Sequence, residues 1–79
     1  MNRKSIVVIP AFNEERTVKQ IVEKCIEYCD VLVIDDGSTD RTASAAAFGG
    51  SIVLTNDKNK GYEYSLNVGY IYAVKNKYD

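Results

Sequence analysis

Two adjacent carboxylates, Asp35 and Asp36, follow the apolar run of residues 31–34 and precede Gly37 and Ser38. Neighbouring carboxylates repel each other unless a donor or a ligand engages them. In an extended segment they point in opposite directions, so one can face a cleft and accept a hydrogen bond from a base or a ribose while the other braces a nearby loop. Gly37 permits the tight turn that follows. The alternative is a plain helix-capping turn built on Asp36 or Ser38.

A second group of ligand-binding side chains follows an earlier apolar run, and it consists of Pro10, Ala11, Phe12, Asn13 and Glu14. An aromatic ring at the end of a strand offers a flat face for a base, and Asn13 and Glu14 place polar atoms beside it. The alternative is an ordinary helix cap at Asn13, with Phe12 in the core.

The third candidate is the pair Lys60 and Gly61, which precedes a helix that contains Asn67 and Gly69. Glycine lets the backbone approach a ligand closely. The N-terminus of the helix presents free N–H groups suited to phosphate, and Lys60 could add a positive charge. The alternative is a helix entry with a glycine at its turn.

These candidates lie at the ends of three apolar runs, which are residues 5–9, 31–34 and 51–55. Continuous runs rich in valine and isoleucine are typical of strands that are buried on both faces of a sheet. Pro10 is expected to end the first strand, because proline lacks a backbone N–H group.

Helical spacing of apolar residues fills the intervals between the strands. Within residues 18–29, apolar side chains recur at intervals of three and four, which predicts the first helix. Asn13 is its predicted N-terminal cap, with two glutamates in the first turn. The second helix is predicted from a cap at Ser38 or Thr39 to Phe48. The third helix is expected to pack through Tyr62, Leu66, Gly69, Tyr70, Ala73 and Val74.

The order β-α-β-α-β-α predicts an α/β fold in a single domain of residues 1–79. We expect a three-layer, Rossmann-like arrangement with right-handed crossovers and a parallel sheet of strand order 3-2-1. Ligands bind such sheets beyond the carboxyl ends of the strands. Those ends are residues 10–14, 35–38 and 55–58, so the candidate residues are expected to converge.

Composition argues against several other classes of protein. The net charge of −1, with acids and bases interspersed, gives no bulk attraction to nucleic acid or to an anionic membrane. The longest apolar run, residues 6–9, is far shorter than the roughly 20 residues of a membrane span. The polar residues 2–4 lead into no signal peptide, so a cytoplasmic protein is expected. Cys25 and Cys29, without any histidine, cannot complete a four-ligand structural zinc site.

Together, residues 7–15, 31–42 and 59–69 resemble glycosyltransferase family 2 in order, in spacing and in position on the elements. The resemblance covers essentially the whole chain. It is greatest to the members that load sugars onto polyprenyl phosphates, such as dolichyl-phosphate mannosyltransferase. It implies a GT-A fold, a nucleotide-diphosphate sugar donor and inversion at the anomeric carbon by direct displacement.

The resemblance also implies roles for particular residues. Pro10 to Glu14 would contact the nucleoside, and the base-recognising aspartate would be Asp35 or Asp36, in the turn with Gly37 and Ser38. Phe12 replaces a tyrosine that is frequent in the family, so stacking survives and a phenolic hydrogen bond is lost. Lys60 and Gly61 match the loop near the nucleotide, whereas Ser65 and Leu66 replace an alanine and an arginine.

In this family the next strand ends in an Asp-x-Asp motif that holds a divalent metal, Mn²⁺ or Mg²⁺, against the diphosphate. A later carboxylate deprotonates the acceptor. The sequence ends at Asp79, before both features, so the metal is expected only in a full-length homologue and no metal ligand is assigned here. The isolated chain is therefore predicted to be inactive in sugar transfer.

The family's fourth strand pairs beside the first, so residues 5–9 are expected to form an exposed edge. Exposed edges recruit another chain, which predicts a homodimer through the first strand.

Three other classes of protein share features with this sequence. A dinucleotide-dependent oxidoreductase needs Gly-x-Gly-x-x-Gly after the first strand, where this chain has Pro-Ala-Phe-Asn-Glu-Glu. A phosphoacceptor receiver domain places its paired acids after the first strand, whereas Asp35 and Asp36 follow the second. A non-catalytic nucleotide-binding or structural fragment is the alternative that the sequence leaves open.

Overall fold

The computed structural model describes residues 5–78, so the polar residues 2–4 and Asp79 lie outside it. Strands and helices alternate along the chain. The strands are β1 (Ile6–Ala11), β2 (Asp30–Asp35) and β3 (Ile52–Thr55), and the helices are α1 (Val18–Cys25), α2 (Thr42–Phe48) and α3 (Tyr62–Lys75). This order confirms the predicted α/β class. None of the three helices in residues 5–78 is long and apolar enough to cross a membrane.

The sheet is parallel, with β2 in the centre between β1 and β3, which confirms the predicted order. Asp35 pairs with Ala11 on one side and with Thr55 on the other. The three strands therefore end in register at one edge of the sheet. The loops that follow Ala11, Asp35 and Thr55 all begin at that edge, and the candidate residues lie there.

The core forms around β2, whose residues are buried except for Asp30. Val31 and Val33 cluster with buried side chains of α1 and α2, which are Val18, Val22 and Ala46. Leu32 and Ile34 alternate to the opposite face, where α3 lies. The helices therefore cover both faces of the sheet in three layers.

The expectation that the first strand is buried on both faces is wrong. Residues 6–10 are only half-buried, because β1 lies at the edge of the described sheet and pairs only with β2 there. Pro10 also does not end the strand, since β1 continues to Ala11. A proline is tolerated on an edge strand, where a missing N–H group need not break the ladder.

Both of the first two helices begin later than predicted, α1 at Val18 and α2 at Thr42. The expected caps at Asn13 and at Ser38 or Thr39 are therefore wrong, and the glutamates after Asn13 lie before α1. The side chains of Asn13 and Ser38 instead accept backbone N–H groups from each other's loop. A short polar side chain can accept a hydrogen bond from a neighbouring loop as readily as from the first turn of its own helix. The local sequence therefore did not distinguish a helix cap from a contact between loops.

The packed face of α3 matches the prediction at Gly69 but differs from it at Ser65 and at two tyrosines. Ser65 and Gly69 are buried, whereas Tyr62 and Tyr70 are 66% and 68% exposed. A Cβ atom at Gly69 would lie 2.3 Å from Cγ1 of Val8, so the helix backbone approaches β1 too closely for a larger residue. Small residues therefore form the contact with the sheet, and the tyrosines turn outward.

Candidate functional site

A cleft of about 290 Å³ opens where β1 and β2 end and α3 begins. The loops after β1, β2 and β3 are here termed the first, second and third loops, which are residues 12–17, 36–41 and 56–61. The cleft forms because the parallel strands finish in register, which brings the first and second loops beside the start of α3. Its lining consists of Pro10, Ala11, Phe12, Glu14, Asp36, Asn59, Gly61 and Tyr62. Most of these residues are candidates from the sequence, whereas Asn13, Asp35, Gly37, Ser38 and Lys60 lie outside the lining.

Asp36 is 5% exposed and lines the cleft. Its Oδ1 accepts hydrogen bonds from Lys60 N at 2.7 Å and from Asn56 Nδ2 at 2.8 Å, and its Oδ2 accepts one from Gly61 N at 2.9 Å. These bonds, the one from the Lys60 N–H first, outweigh burial and hold the pKa of the Asp36 carboxyl below its ordinary value. The side chain is thus ionised at neutral pH and joins β2 to the start of α3.

Asp35 points to a different set of partners. Its Oδ1 accepts a hydrogen bond from Ser38 N at 3.1 Å, and its Oδ2 accepts one from Thr55 Oγ1 at 3.4 Å. Neighbouring side chains in a strand alternate in direction, so only one of the two acids can face the cleft. The geometry places Asp36 there and gives Asp35 the role of bracing the turn and β3.

Gly37 follows the two acids in a left-handed conformation, with φ of 72°. A Cβ atom at this position would lie 2.4 Å from the carbonyl carbon of Lys58 and 2.5 Å from Asn59 N. The backbones of the second and third loops are therefore in direct contact, and only glycine allows it. Gly37 shapes the cleft without lining it.

The side chain of Lys60 lies away from the cleft. Its Nζ is 5.4 Å from the centroid of the Tyr64 ring and 3.8 Å from Asp57 Oδ1. Lys60 contributes to the site through its backbone N–H, which binds Asp36. The positive charge expected beside a phosphate is thus engaged elsewhere in this structure.

Tyr62 and Asn59 line the cleft, although the sequence did not identify them as site residues. Tyr62 was assigned to the packed face of α3, but its ring is 66% exposed. With Phe12, which is 43% exposed, it gives the cleft two accessible aromatic rings. The useful clue was position, because the residue after Gly61 must lie beside the same turn.

The described residues do not fit the divalent metal that the family implies. Within residues 5–78, no three acidic, cysteine or histidine side chains are grouped so that they could hold a metal ion. The oxygens of Asp35 and Asp36 are turned to N–H and hydroxyl donors of the protein. No step of the chemistry is therefore assigned to a metal in this chain.

Comparison with known proteins identifies the family. The model of glycosyl transferase family 2 matches residues 6–76. The chain belongs to glycosyl transferase family 2. It is 37% identical over 85 residues to the 4,4'-diaponeurosporenoate glycosyltransferase of Staphylococcus aureus, an alignment that covers 96% of this chain and 23% of that enzyme. It is also 37% identical over 65 residues to an uncharacterized protein of Methanocaldococcus jannaschii, covering 80% of this chain and 27% of the relative.

Solved structures that resemble this chain confirm the predicted GT-A fold. Glucosyl-3-phosphoglycerate synthase of Mycobacterium tuberculosis superposes with a TM-score of 0.75 at 26% identity, over 86% of this chain and 30% of the synthase. Its complex with Mn²⁺, UDP-glucose and phosphoglyceric acid gives a TM-score of 0.72 at 28% identity, over 82% and 28% of the two chains. The family 2 chain described here thus spans about a quarter to a third of the length of these relatives.

Proposed function

We propose that this chain is the nucleotide-binding part of a glycosyltransferase, and that its cleft binds the nucleoside diphosphate portion of a sugar donor. One observation carries the proposal: six of the residues that the sequence predicts to contact the nucleotide sugar line one cleft, and they are Pro10, Ala11, Phe12, Glu14, Asp36 and Gly61. The mycobacterial synthase with a similar fold binds UDP and UDP-glucose, which supports this choice of ligand. On this proposal residues 1–79 act as one donor-binding domain.

The proposal gives each wall of the cleft a role. The exposed rings of Phe12 and Tyr62 offer faces on which a base can stack. Asp36 Oδ2 accepts only one hydrogen bond among those described, so it retains capacity for a donor on the base or the ribose. The first turn of α3 presents free backbone N–H groups to the diphosphate.

Calorimetric titration of the purified chain with UDP, and separately with GDP, tests this proposal. Replacement of Phe12 by alanine is expected to weaken binding about tenfold, in line with the typical worth of one base–aromatic stack. Phe48→Ala is the matched control, because that ring is 81% exposed on α2 and lies outside the cleft. If neither UDP nor GDP binds at millimolar concentration, the proposal is rejected and a purely structural fragment is favoured.

We further propose that the isolated chain binds the donor without transferring its sugar. The oxygens of both Asp35 and Asp36 already accept protein hydrogen bonds, which suits a structural or binding role better than that of a general base. Incubation with a polyprenyl phosphate acceptor and radiolabelled UDP-glucose or GDP-mannose tests this, and labelled acceptor above the background without protein would contradict it. The polyprenyl-phosphate branch and a cytoplasmic location stay predictions.

The proposed partner of this chain is a second copy of itself. An apolar groove of about 450 Å³ runs between β1 and α3, lined by Ile6, Val8, Leu66, Asn67, Tyr70, Ala73, Val74 and Tyr78. In the described sheet β1 pairs only with β2, so the backbone groups of its outer edge are open to another strand. Pairing of two β1 strands would extend the sheet and cover this groove.

Light scattering on a size-exclusion column measures the oligomeric state directly. We expect a dimer at micromolar concentration, and a monomer after Val74→Lys, because that side chain lines the groove and is 60% exposed. Tyr28→Lys is the control, since Tyr28 is 85% exposed and lies outside the groove. A wild-type monomer would show that the edge is not used in this way.

A further inference from the structure

The first and second loops are held together by reciprocal hydrogen bonds, here termed the loop clasp and formed by residues 13–15 and 38–42. The Oδ1 of Asn13 accepts hydrogen bonds from Thr39 N at 2.9 Å and from Thr39 Oγ1 at 3.3 Å, and Glu15 Oε1 accepts one from Arg41 N at 3.4 Å. Three successive backbone N–H groups of the first loop donate in the opposite direction, from Asn13 to Ser38 Oγ at 2.9 Å, from Glu14 to Thr42 Oγ1 at 2.8 Å and from Glu15 to Asp40 Oδ2 at 3.3 Å.

Thr42 is at the centre of the loop clasp and is fully buried. Its hydroxyl donates to Asp40 Oδ1, which also accepts the Thr42 N–H at 3.0 Å. Burial raises the pKa of Asp40, but the hydrogen bonds led by the Thr42 hydroxyl outweigh it and leave the pKa below its ordinary value. Because an ionised carboxylate can only accept, the Thr42 hydroxyl must donate to Asp40 and accept from the Glu14 N–H.

The loop clasp spans a residue in the left-handed backbone conformation. Asn13 has φ of 55°, in the left-handed region that residues other than glycine seldom adopt. This turn lies between Phe12 and Glu14, and both of those residues line the cleft. Asn13, Asp40 and Thr42 do not line it, so their contribution acts through the shape of the first loop.

We propose that Thr42 and Asp40 are positioning residues for nucleotide binding, because they preset the first loop so that Phe12 and Glu14 face the cleft before the nucleotide arrives. Preorganisation raises affinity by removing the cost of ordering a loop during binding. The inference rests on the proposed function, and it adds residues that the cleft itself does not reveal.

The test compares Thr42→Val, which removes the hydroxyl at nearly constant shape, with Thr42→Ser, which keeps it. We expect Thr42→Val to weaken UDP binding about tenfold in calorimetry, because valine removes the hydroxyl that accepts the Glu14 N–H. Thr42→Ser keeps that hydroxyl, so its affinity should stay within about twofold of the wild type. Amide hydrogen exchange at Glu14 should accelerate in Thr42→Val and remain slow in Thr42→Ser. Asp40→Ala, at a half-buried position, is expected to reproduce the valine result and serves if that variant does not fold.

Val22→Ala controls for stability, because Val22 is fully buried in α1 and belongs to neither the cleft nor the loop clasp. It should lower the melting temperature and leave the UDP affinity of the folded protein unchanged. If the wild type binds no UDP, the proposed function fails and this inference falls with it. If the wild type binds, and Thr42→Val and Asp40→Ala bind equally well, only the positioning role is overturned. A loss of affinity in Val22→Ala as large as that in Thr42→Val would overturn it too.

Discussion

The carboxylate of Asp36 accepts the backbone N–H groups of both Lys60 and Gly61, at 2.7 and 2.9 Å. The end of β2 is thereby bonded to the two residues that precede α3, although they are more than 20 positions apart in sequence. The position of the third loop, and with it one wall of the cleft, therefore depends on one ionised acid.

The first prediction concerns pH. The pKa of Asp36 is lower in the folded chain than its ordinary value of 3.8, so its stabilising contribution is present above that pH and is lost as the pH falls below it. Asp36→Asn should lower the free energy of unfolding at pH 7. It should also flatten the decline of that free energy between about pH 5 and pH 2.5. Urea unfolding at a series of pH values measures both, and parallel declines for wild type and variant would contradict the prediction.

A second pH dependence is expected at the alkaline end. The Tyr78 hydroxyl donates to Asp30 Oδ2, and this hydrogen bond raises the pKa of Tyr78 from 10.0 to about 12. A raised pKa means that the contribution is complete below pH 10.0 and is lost as the pH rises through about 12. Tyr78→Phe should therefore be less stable than wild type at pH 8, with a difference that disappears in that alkaline range. If the variant and the wild type differ in stability by the same amount at pH 8 and in the alkaline range, the prediction is refuted.

Gly37 and Gly50 form a matched pair for the third prediction. Both have positive φ, at 72° and 109°, so alanine introduces backbone strain of about 1–3 kcal/mol at either. Only at Gly37 does the added methyl group meet another backbone, 2.4 Å from Lys58, whereas at Gly50 the nearest atom is a side-chain carbon of Ile26 at 3.8 Å. Gly37→Ala should thus lose more stability and also UDP affinity. Equal affinities in the two variants would argue against contact between the loops.

The fourth prediction concerns the contact between α3 and β1. Alanine favours a helix over glycine by about 1 kcal/mol, yet Gly69→Ala should destabilise the chain by about 1–3 kcal/mol through overpacking. The new methyl group would lie 2.3 Å from Val8 Cγ1, so Val8→Ala in the same chain should restore part of the loss. A double-mutant cycle by urea unfolding measures the coupling. Additive effects would show that the helix moves away freely.

The fifth prediction separates the backbone of Lys60 from its charge. Lys60→Met removes the ammonium group near Tyr64 and Asp57 but keeps the N–H that binds Asp36. We expect UDP affinity to change by less than about threefold, because an exposed ion pair and a cation–π contact are each worth little. A loss of two orders of magnitude would instead mean that the side chain turns to the phosphates on binding.

The strands and the edge where they end could be predicted from sequence because both follow from local composition and from parallel pairing. Runs of β-branched residues mark β2 and β3, and parallel strands bring Ala11, Asp35 and Thr55 to one edge. Which of Asp35 and Asp36 faces the cleft could not be predicted. It depends on which face of the sheet each side chain of β2 points to, and the sequence does not fix that choice.

The beginnings of α1 and α2 could not be predicted for a different reason. Asn13 and Ser38 satisfy the requirements of a helix cap and of a contact between loops equally well. Only the distance between the two loops decides, and that distance is a property of the assembled sheet. Tyr62 shares the helical spacing of the buried Ser65 and Gly69, so the sequence alone could not show that its ring would be 66% exposed.

Asp36 binds the third loop through the side chain of Asn56 and through the main chain of residues 60 and 61, so the identity of the side chain at residue 60 is not fixed by these bonds. Such a segment can drift in composition without collapse, and natural divergence or a randomised library can sample new contacts there. The contacts that this loop offers to a molecule in the cleft can therefore change in small steps, one loop residue at a time.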